Sequence, residues 1–184
     1  PGEFGGQAIA EALFGDYNPG GRLAVTFPKS VGQIPFAFPF KPGSDESSET
    51  SVYGALYPFG HGLSYTTFQY SDLVISPSKQ GVQGNISISC TIKNIGQREG
   101  DEVVQLYLRD EVSSVTTYTQ VLRGFERITL KPEASHTVHF ELTPQELGIW
   151  DKQMNFTVEP GMFKVMIGSS SKDIRLKGEF EIAQ

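Results

Sequence analysis

The second half of the chain alternates apolar and polar residues with a period of two. Between residues 86 and 93 the apolar positions are Ile86, Ile88, Cys90 and Ile92, and Ser, Thr or Lys stands between them. Successive side chains of a strand point to opposite faces, so this pattern predicts a strand with one buried face. The runs with strand character cover residues 67–76, 86–92, 104–108, 120–130, 138–142, 163–167 and 174–182.

Turn-forming residues separate these runs, for example Asn-Ile-Gly at residues 94–96 and Glu-Pro-Gly at residues 159–161. Short strands joined by polar turns, with no helical period between them, favour two antiparallel sheets packed face to face. We therefore expect a mainly β protein. Residues 65–184 should form an immunoglobulin- or fibronectin type III-like antiparallel β-sandwich of about seven strands.

The beginning of the chain has a helical period instead. Residues 7–14 place Ile9, Ala12 and Leu13 at positions i, i+3 and i+4, which lie on one face of a helix. Gly15 follows where a glycine commonly ends a helix, because glycine adopts the left-handed conformation without strain. The pattern predicts a short helix with one buried face.

A strand is expected directly after this helix. Residues 22–27 are rich in apolar and β-branched residues, and Pro28 is expected to end the run. One helix and one strand bury too little surface to offset the entropy lost on ordering. We therefore interpret residues 1–35 as the C-terminal remnant of an α/β domain and expect the rest of that domain upstream of Pro1.

The linker over residues 36–64 joins these two regions. Residues 41–51 contain no apolar side chain and predict a solvated loop, whereas residues 53–65 are rich in aromatic residues and glycine. Exposed aromatic rings can stack on sugars, but proline and glycine between them favour a fixed crossing between domains. The residues predicted to pack between domains are Tyr57, Phe59, His61 and Tyr65.

Composition excludes several classes of protein. The 184 residues carry a formal charge of −6, with no block of Lys and Arg, so a nucleic-acid partner is not expected. No run approaches the roughly 18 consecutive apolar residues of a membrane span. The one cysteine, Cys90, has no second cysteine with which to form a disulfide or a zinc knuckle. We expect no cofactor and no metal.

The histidines do not indicate a catalytic or metal site. His136 and His139 are three residues apart in a predicted strand, so their side chains point to opposite faces, and His139 should be exposed. His61 lies between two glycines, with no partner nearby in the sequence. We interpret His61 as structural.

The carboxylates and short motifs are equally uninformative about catalysis. Asp16 lies in a predicted turn, and the acidic residues of the polar loop, Asp45, Glu46 and Glu49, are expected to be solvated. Neither a nucleophile elbow nor a phosphate-binding loop is complete anywhere in the chain. We therefore predict no catalytic residue within these 184 residues.

An ordered set of motifs nevertheless resembles the C-terminal portion of glycoside hydrolase family 3, the β-glucosidase and β-xylosidase family. The matching segments are PGEFGGQAIA at 1–10, LFGDYNPGGRL at 13–23, TFP at 26–28, YPFGHGLSYT at 57–66, KNIG at 93–96, GDEVVQLY at 100–107, GF at 124–125, and the stretch from EPG at 159–161 to Ser169-Ser170. The likeness covers almost the whole chain. Any one motif is weak, but their order and spacing are specific.

The resemblance implies a three-part enzyme with a barrel, an α/β sandwich and a fibronectin type III-like domain. Both catalytic carboxylates of a retaining β-glycosidase would then lie upstream of Pro1, and the 184 residues alone would be inactive. The partners implied are the N-terminal catalytic domains of the same polypeptide and the carbohydrate substrate of the full-length enzyme. Export to the periplasm or the medium is expected from the resemblance alone.

Two functions from different classes remain open at this point. In the first, the chain supports and orients the catalytic domains of a β-glucosidase-like enzyme. In the second, the sandwich is a carbohydrate- or protein-binding module, which requires exposed, coplanar aromatic side chains. The exposure of Tyr107, Tyr118 and Trp150 discriminates between them. A third and weaker alternative is that the chain hydrolyses glycosides by itself.

Overall fold

The computed structural model describes residues 2–44 and 54–184. The expectations for Asp45, Glu46, Glu49 and most of the polar loop over residues 41–51 fall outside the described residues. The helices and strands are α1 (Gly5–Phe14), β1 (Phe27–Pro28), a 3-10 helix (Val31–Gln33), β2 (Ala55–Tyr57), β3 (Phe68–Ser76), β4 (Lys79–Gly81), β5 (Ile86–Asn94), β6 (Gly100–Asp110), β7 (Val121–Leu130), β8 (Ser135–Leu142), α2 (Pro144–Leu147), β9 (Ile149–Trp150), β10 (Phe156–Thr157), β11 (Gly161–Gly168) and β12 (Ile174–Ala183).

Two sheets form the sandwich. One has the strand order β4-β12-β11-β6-β7 and the other has the order β3-β5-β8. All seven runs predicted as strands between residues 67 and 182 contribute to one of them, and the short β4 is an additional strand. The strands pair antiparallel, except that β4 pairs parallel with the edge of β12. The predicted mainly β, fibronectin type III-like fold is confirmed.

The core lies between the sheets and follows the predicted alternation. All four apolar residues of β5, Ile86, Ile88, Cys90 and Ile92, are completely buried. They pack against the apolar side chains of the facing sheet, which include Val104, Leu106, Leu108, Phe163, Val165, Ile167, Phe180 and Ile182. Burial raises the pKa of the Cys90 thiol to about 11, so the thiol stays protonated at neutral pH.

The turn after β5 is held by one buried side chain. The amide of Asn94 donates to the backbone carbonyls of Arg98 (2.7 Å) and Leu130 (2.8 Å). Its oxygen accepts from the Thr66 hydroxyl (2.6 Å) and from the backbone N–H of Gly96 (3.0 Å). All the hydrogen-bonding capacity of a buried amide is therefore used, which fixes the start of β3 against the end of β5.

Helix α1 forms where it was predicted, and Gly15 ends it with a φ of +83°. The prediction of a buried face is wrong for the described residues, since Leu13 is 73% exposed and Ile9 is also exposed. The apolar stripe exists, but among residues 2–44 and 54–184 no helix or strand covers it. Helical periodicity records which face is apolar and cannot identify what packs on it.

The predicted strand over residues 22–27 is also wrong. Only Phe27 and Pro28 pair in a ladder, with β2. Leu23 instead donates its N–H to the His61 carbonyl and accepts from the N–H of Gly60, both at 2.8 Å. A strand is defined by a neighbouring strand, and here the backbone of a loop takes those bonds.

Candidate functional site

The N-terminal segment, residues 2–44 and 54–64, lies against β6 and contacts the loops that contain Glu99, Thr119 and Ser171. We call this contact the seam. Strand β6 is central to it because β11 pairs with β6 only from Asp110 to Gln105. Beyond that point, residues 100–104 of β6 pair with β7 on one side. Among the described residues, no strand pairs with the other side of residues 100–104, and the N-terminal segment lies there.

A buried ion pair crosses the seam. The Nη2 atom of Arg22 lies 2.8 Å from the Oε1 atom of Glu102, and the two side chains are only 9% and 4% exposed. The Tyr70 hydroxyl donates to the same carboxylate oxygen at 3.1 Å. Burial, followed by the charge of Glu102 and this hydrogen bond, raises the pKa of Tyr70 well above its ordinary value. Removing either ion would leave the other buried without its counter-ion.

Two glycines on either side of His61 allow the linker to approach this closely. Gly60 has a φ of +81°, and a Cβ atom there would lie 2.1 Å from the Oε1 atom of Gln105. At Gly62 a Cβ atom would lie 2.3 Å from the Gly21 carbonyl oxygen and 2.5 Å from Arg22. Any other residue at position 60 would collide with Gln105 of the sandwich, and any other residue at position 62 would collide with Gly21 and Arg22 of the N-terminal segment.

Gln105 binds the linker to two parts of the sandwich. Its amide nitrogen donates to the carbonyl of Ser169 (2.6 Å) and to that of Gly60 (3.2 Å). Its amide oxygen accepts from the hydroxyl of Tyr107 at 2.5 Å. Gln105 is almost completely buried, so these bonds hold the loop before β12 and the linker in one arrangement.

Aromatic rings cover Tyr107 on the outer face of β6. Tyr107 is completely buried although its neighbours Leu106 and Leu108 point the other way, into the core. The ring of Phe38 lies edge-on to it at 5.7 Å, and Phe59 stacks on Phe38 at 4.6 Å. Burial raises the pKa of Tyr107 above its ordinary value. The linker thus supplies the cover that this face of the sheet requires.

The polar edge of the seam ties α1 and its following turn to the sandwich. Asn18 donates to the carbonyl of Glu99 (3.0 Å) and accepts from the backbone N–H of Tyr65 (2.8 Å). The Tyr65 hydroxyl donates to the carbonyl of Ala12 at 2.7 Å, and its ring lies under the guanidinium of Arg98. The position of α1 relative to the sandwich is therefore set by several independent bonds.

The four residues predicted to pack between domains have different surroundings. Phe59 is half-buried in the seam and accepts a backbone bond from Ser171 (3.0 Å), and Tyr65 contacts both α1 and the sandwich. Tyr57 and His61 stack on each other at 5.1 Å, and Tyr57 is exposed. For Tyr57 and His61, packing against a further domain stays a prediction.

Residues that would carry catalysis or sugar stacking are not gathered in the seam. In the described part of the chain, no group of three or more His, Cys, Asp or Glu side chains is placed to hold a metal. His136 and His139 are both exposed on β8. Of the aromatic residues considered for sugar binding, Tyr107 is buried, whereas Tyr118 and Trp150 are exposed.

Large apolar side chains lie exposed over much of the N-terminal segment. They are Phe4, Ile9, Leu13, Phe14, Tyr17, Val25, Phe27, Val31, Ile34, Leu56, Tyr57 and Leu63. A contiguous exposed apolar surface on a protein commonly marks a contact with another protein surface. The side of this segment that faces the sandwich is bonded and the other side is apolar.

Sequence reasoning missed the residues that hold the seam together. Glu102 could have been found from the sequence. It shares the alternation of Val104 and Leu106, whose side chains point into the core, and a charged side chain on that face needs a partner. Its partner Arg22, 80 residues away, was not detectable from spacing. Nor does any local pattern reveal that Tyr107 is buried, because the alternation of β6 places its side chain on the face opposite to the core.

Comparison with known proteins identifies both regions. The profile of the Glycosyl hydrolase family 3 C-terminal domain matches residues 1–65, and that of the Fibronectin type III-like domain matches residues 102–171. The chain is 44% identical, over 97% of its length, to a periplasmic beta-glucosidase of Salmonella typhimurium. It is 43% identical, over 94% of its length, to a beta-xylosidase of Formosa agariphila.

Solved structures agree with these matches. A beta-glucosidase from Erythrobacter marinus superposes with a TM-score of 0.90 at 39% identity, over 97% of this chain and 24% of its own. The two curated relatives are covered over 25% and 24% of their lengths. The chain therefore spans about a quarter of the proteins that it matches. In residues 2–44 and 54–184, no helix has the length and apolar character that crossing a membrane requires.

Proposed function

The chain belongs to glycoside hydrolase family 3, whose C-terminal part it matches, and we propose that it is the non-catalytic supporting part of a β-glucosidase-like enzyme. The parts proposed are a remnant of an α/β domain over residues 1–35, a linker over 36–64 and a fibronectin type III-like domain over 65–184. In the full-length polypeptide the sandwich holds the linker and the end of the α/β domain in a fixed orientation. The upstream domains would carry out the hydrolysis of the glycosidic bond.

One observation carries this proposal, namely the two-sided character of the N-terminal segment. Toward the sandwich it makes buried polar bonds, such as Arg22 to Glu102, that specify a single arrangement. Away from the sandwich it exposes the apolar stripe of α1. Burying that stripe would stabilise an interface by roughly 25 cal/mol per Å² of apolar surface. The segment is thus suited to connect the sandwich to a further apolar layer.

We place the catalytic carboxylates in the upstream domains. Retaining hydrolysis of a glycoside needs two carboxyl groups about 5 to 5.5 Å apart on either side of the scissile bond, one as nucleophile and one as acid and base. A buried pair of that kind is what the upstream domains would supply. The 184 residues alone are expected to give no turnover of an aryl β-glucoside, and measurable turnover would contradict this assignment.

Export of the full-length enzyme is part of the same proposal. The relative from Salmonella typhimurium is named as periplasmic, and most of this chain aligns with it. Fractionation of cells that produce the full-length protein tests this point. Recovery of the activity in the cytoplasmic fraction alone would contradict it.

The supporting role is tested by deleting residues 65–184 from the full-length enzyme. We expect a lower melting temperature and loss of turnover, because the seam would lose every partner on the sandwich. An unchanged melting temperature together with unchanged turnover would contradict the proposal. A deletion of this size can also prevent folding for unspecific reasons, so a point variant is needed as well.

Leu13→Asp is that variant, and it should be compared in two proteins. In the 184-residue chain Leu13 is exposed, so a change of less than about 0.5 kcal/mol in the free energy of unfolding is expected. In the full-length enzyme the same substitution would bury a charge in the interface and lower stability and turnover. Phe125→Asp, at an exposed position on β7, is the matched control. Equal behaviour of the two variants in the full-length enzyme would contradict the proposal.

A further inference from the structure

A pocket of about 400 Å³ lies beside the short hairpin formed by β9 and β10. Its walls come from the turn before β5, from α2 and from β10 and the residue that follows it. The residues that matter for its chemistry are Val82, Gln83, Gln145, Phe156, Thr157 and Val158. None of them takes part in the seam. The volume lies within the range of pockets that bind small molecules, roughly 300 to 1,000 Å³.

The lining of this pocket is uncharged but has hydrogen-bonding groups. Gln83, Gln145 and Thr157 line it, together with Pro144 and two valines. Within residues 2–44 and 54–184 the side-chain amides of the two glutamines and the hydroxyl of Thr157 have no hydrogen-bond partner in the protein. Each amide offers donors and an acceptor, and the hydroxyl offers both, so a ligand rich in hydroxyl groups can bond to all three.

One aromatic residue lines the pocket and a second one contacts it. The ring of Phe156 lines the pocket, and the indole of Trp150 lies edge-to-face with it at 5.5 Å. Trp150 is 59% exposed, so much of the indole is open to solvent. The apolar C–H groups on one face of a pyranose ring match such a surface, whereas a charged ligand finds no counter-charge in the lining.

The hairpin that carries these rings is preorganised. The Oδ1 atom of Asp151 accepts from the backbone N–H groups of Gln153 (2.8 Å) and Asn155 (2.9 Å), which closes the turn. The ring of Phe156 lies over Gly148, where a Cβ atom would be only 2.3 Å from it. The aromatic part of the site is therefore in place before a ligand binds, which reduces the entropic cost of binding there.

We propose that this pocket binds a neutral oligosaccharide, with one sugar ring against Phe156, an adjoining sugar against the differently inclined ring of Trp150, and hydroxyl groups bonded to Gln83, Gln145 and Thr157. This goes beyond the supporting role. The sandwich would hold a glycan chain at a site separate from the seam.

The single tryptophan of the chain is a built-in reporter for this proposal. Trp150 is the only tryptophan, so every change in tryptophan emission of the 184-residue protein arises beside Phe156. The protein is titrated with cellotetraose and, in a second arm, with xylotetraose. A saturable change of the emission with either sugar is expected. No saturable change with either sugar would overturn the proposal.

Variants then distinguish the pocket from unspecific contact with the indole. Gln83→Ala and Gln145→Ala keep the reporter, and each should weaken binding roughly three- to tenfold, the usual effect of removing one hydrogen bond. Phe125→Ala removes an exposed ring from β7 and should leave the affinity unchanged. Unchanged affinity in both glutamine variants, with circular dichroism showing native folds, would overturn the proposal. The Leu13→Asp comparison in the full-length enzyme does not depend on this result, so the two proposals fail separately.

Discussion

The sandwich and the N-terminal segment both carry clear apolar patterns, but their apolar side chains have opposite surroundings. In the sandwich, the inward residues of β5 and β6 face each other across two sheets and are buried. In the segment, the stripe on α1 faces away from the sandwich and is exposed. The difference shows that a local pattern specifies the element and its apolar face, whereas stability depends on whether a second layer is present.

The contacts that hold the two regions together differ in kind from the core of the sandwich. The core is almost entirely apolar, whereas the seam depends on Arg22, Glu102, Gln105 and Asn18, which are hydrogen-bonded side chains. Apolar packing tolerates many arrangements, while a buried polar network is satisfied in only one. The seam is therefore suited to fix an orientation.

The largest expected effect comes from breaking the buried ion pair. Arg22→Met leaves the buried Glu102 with the Tyr70 hydroxyl but without its counter-ion, and it should lower the free energy of unfolding by about 3–5 kcal/mol in urea titrations of the 184-residue chain. The double variant Arg22→Met/Glu102→Leu should recover much of that loss. Lys79→Met, which breaks the exposed pair between Lys79 and Glu181, is the control and should cost less than about 1 kcal/mol. Similar losses for the Arg22 and Lys79 variants would mean that the seam opens to solvent.

A second comparison uses one leucine from each region. Leu106→Ala empties a completely buried position and should cost about 2–5 kcal/mol, whereas Leu13→Ala on the exposed face of α1 should change stability by less than about 0.5 kcal/mol. Denaturant unfolding of both variants measures the difference. Comparable costs would mean that α1 is packed within the 184 residues, and the contrast between the two regions would then be wrong.

A smaller effect is expected from the close approach of the linker. Gly60→Ala introduces a left-handed alanine and a clash with Gln105, and it should cost about 1–3 kcal/mol. Gly54→Ala is the matched control. Gly54 has a similar φ of +71°, but a Cβ atom there meets no described atom within 4 Å. The difference between their melting curves isolates the clash from the backbone strain. Equal losses of stability in the two variants would mean that the linker lies further from β6 than the structure shows.

The smallest effect concerns alkaline pH. The pKa of Tyr70 is raised in the folded state, mainly by burial and then by Glu102, so the unfolded chain loses this proton first as the pH rises above about 10. The stabilisation is complete below that pH and is lost above it. Tyr70→Phe should therefore show a shallower decline of stability from pH 9 to 11, while Tyr118→Phe, at an exposed position, should match the unmodified chain. Identical slopes for all three proteins would contradict the buried hydroxyl.

Much of the fold could be predicted because its determinants are local. The alternation in β5 and the glycine after α1 each reflect backbone geometry that a few residues decide. The strand expected over residues 22–27 failed because a strand needs a partner, and Leu23 bonds to Gly60 and His61 instead. The aromatic linker was predicted as a crossing between regions, but the sequence did not indicate which sandwich residues it meets.

The sequence by itself determined that strands with one apolar face follow residue 65 and that a short amphipathic helix lies near residue 10. It also carries the motifs of its family. These features depend on neighbours within a few residues. Only the tertiary structure decided that Arg22 reaches Glu102, that Tyr107 is covered by Phe38, and that Gln83 and Gln145 share a pocket. The two residues of each pair are far apart along the chain. Bringing them together costs loop-closure entropy, which the packing of the two sheets offsets and which no local pattern can supply.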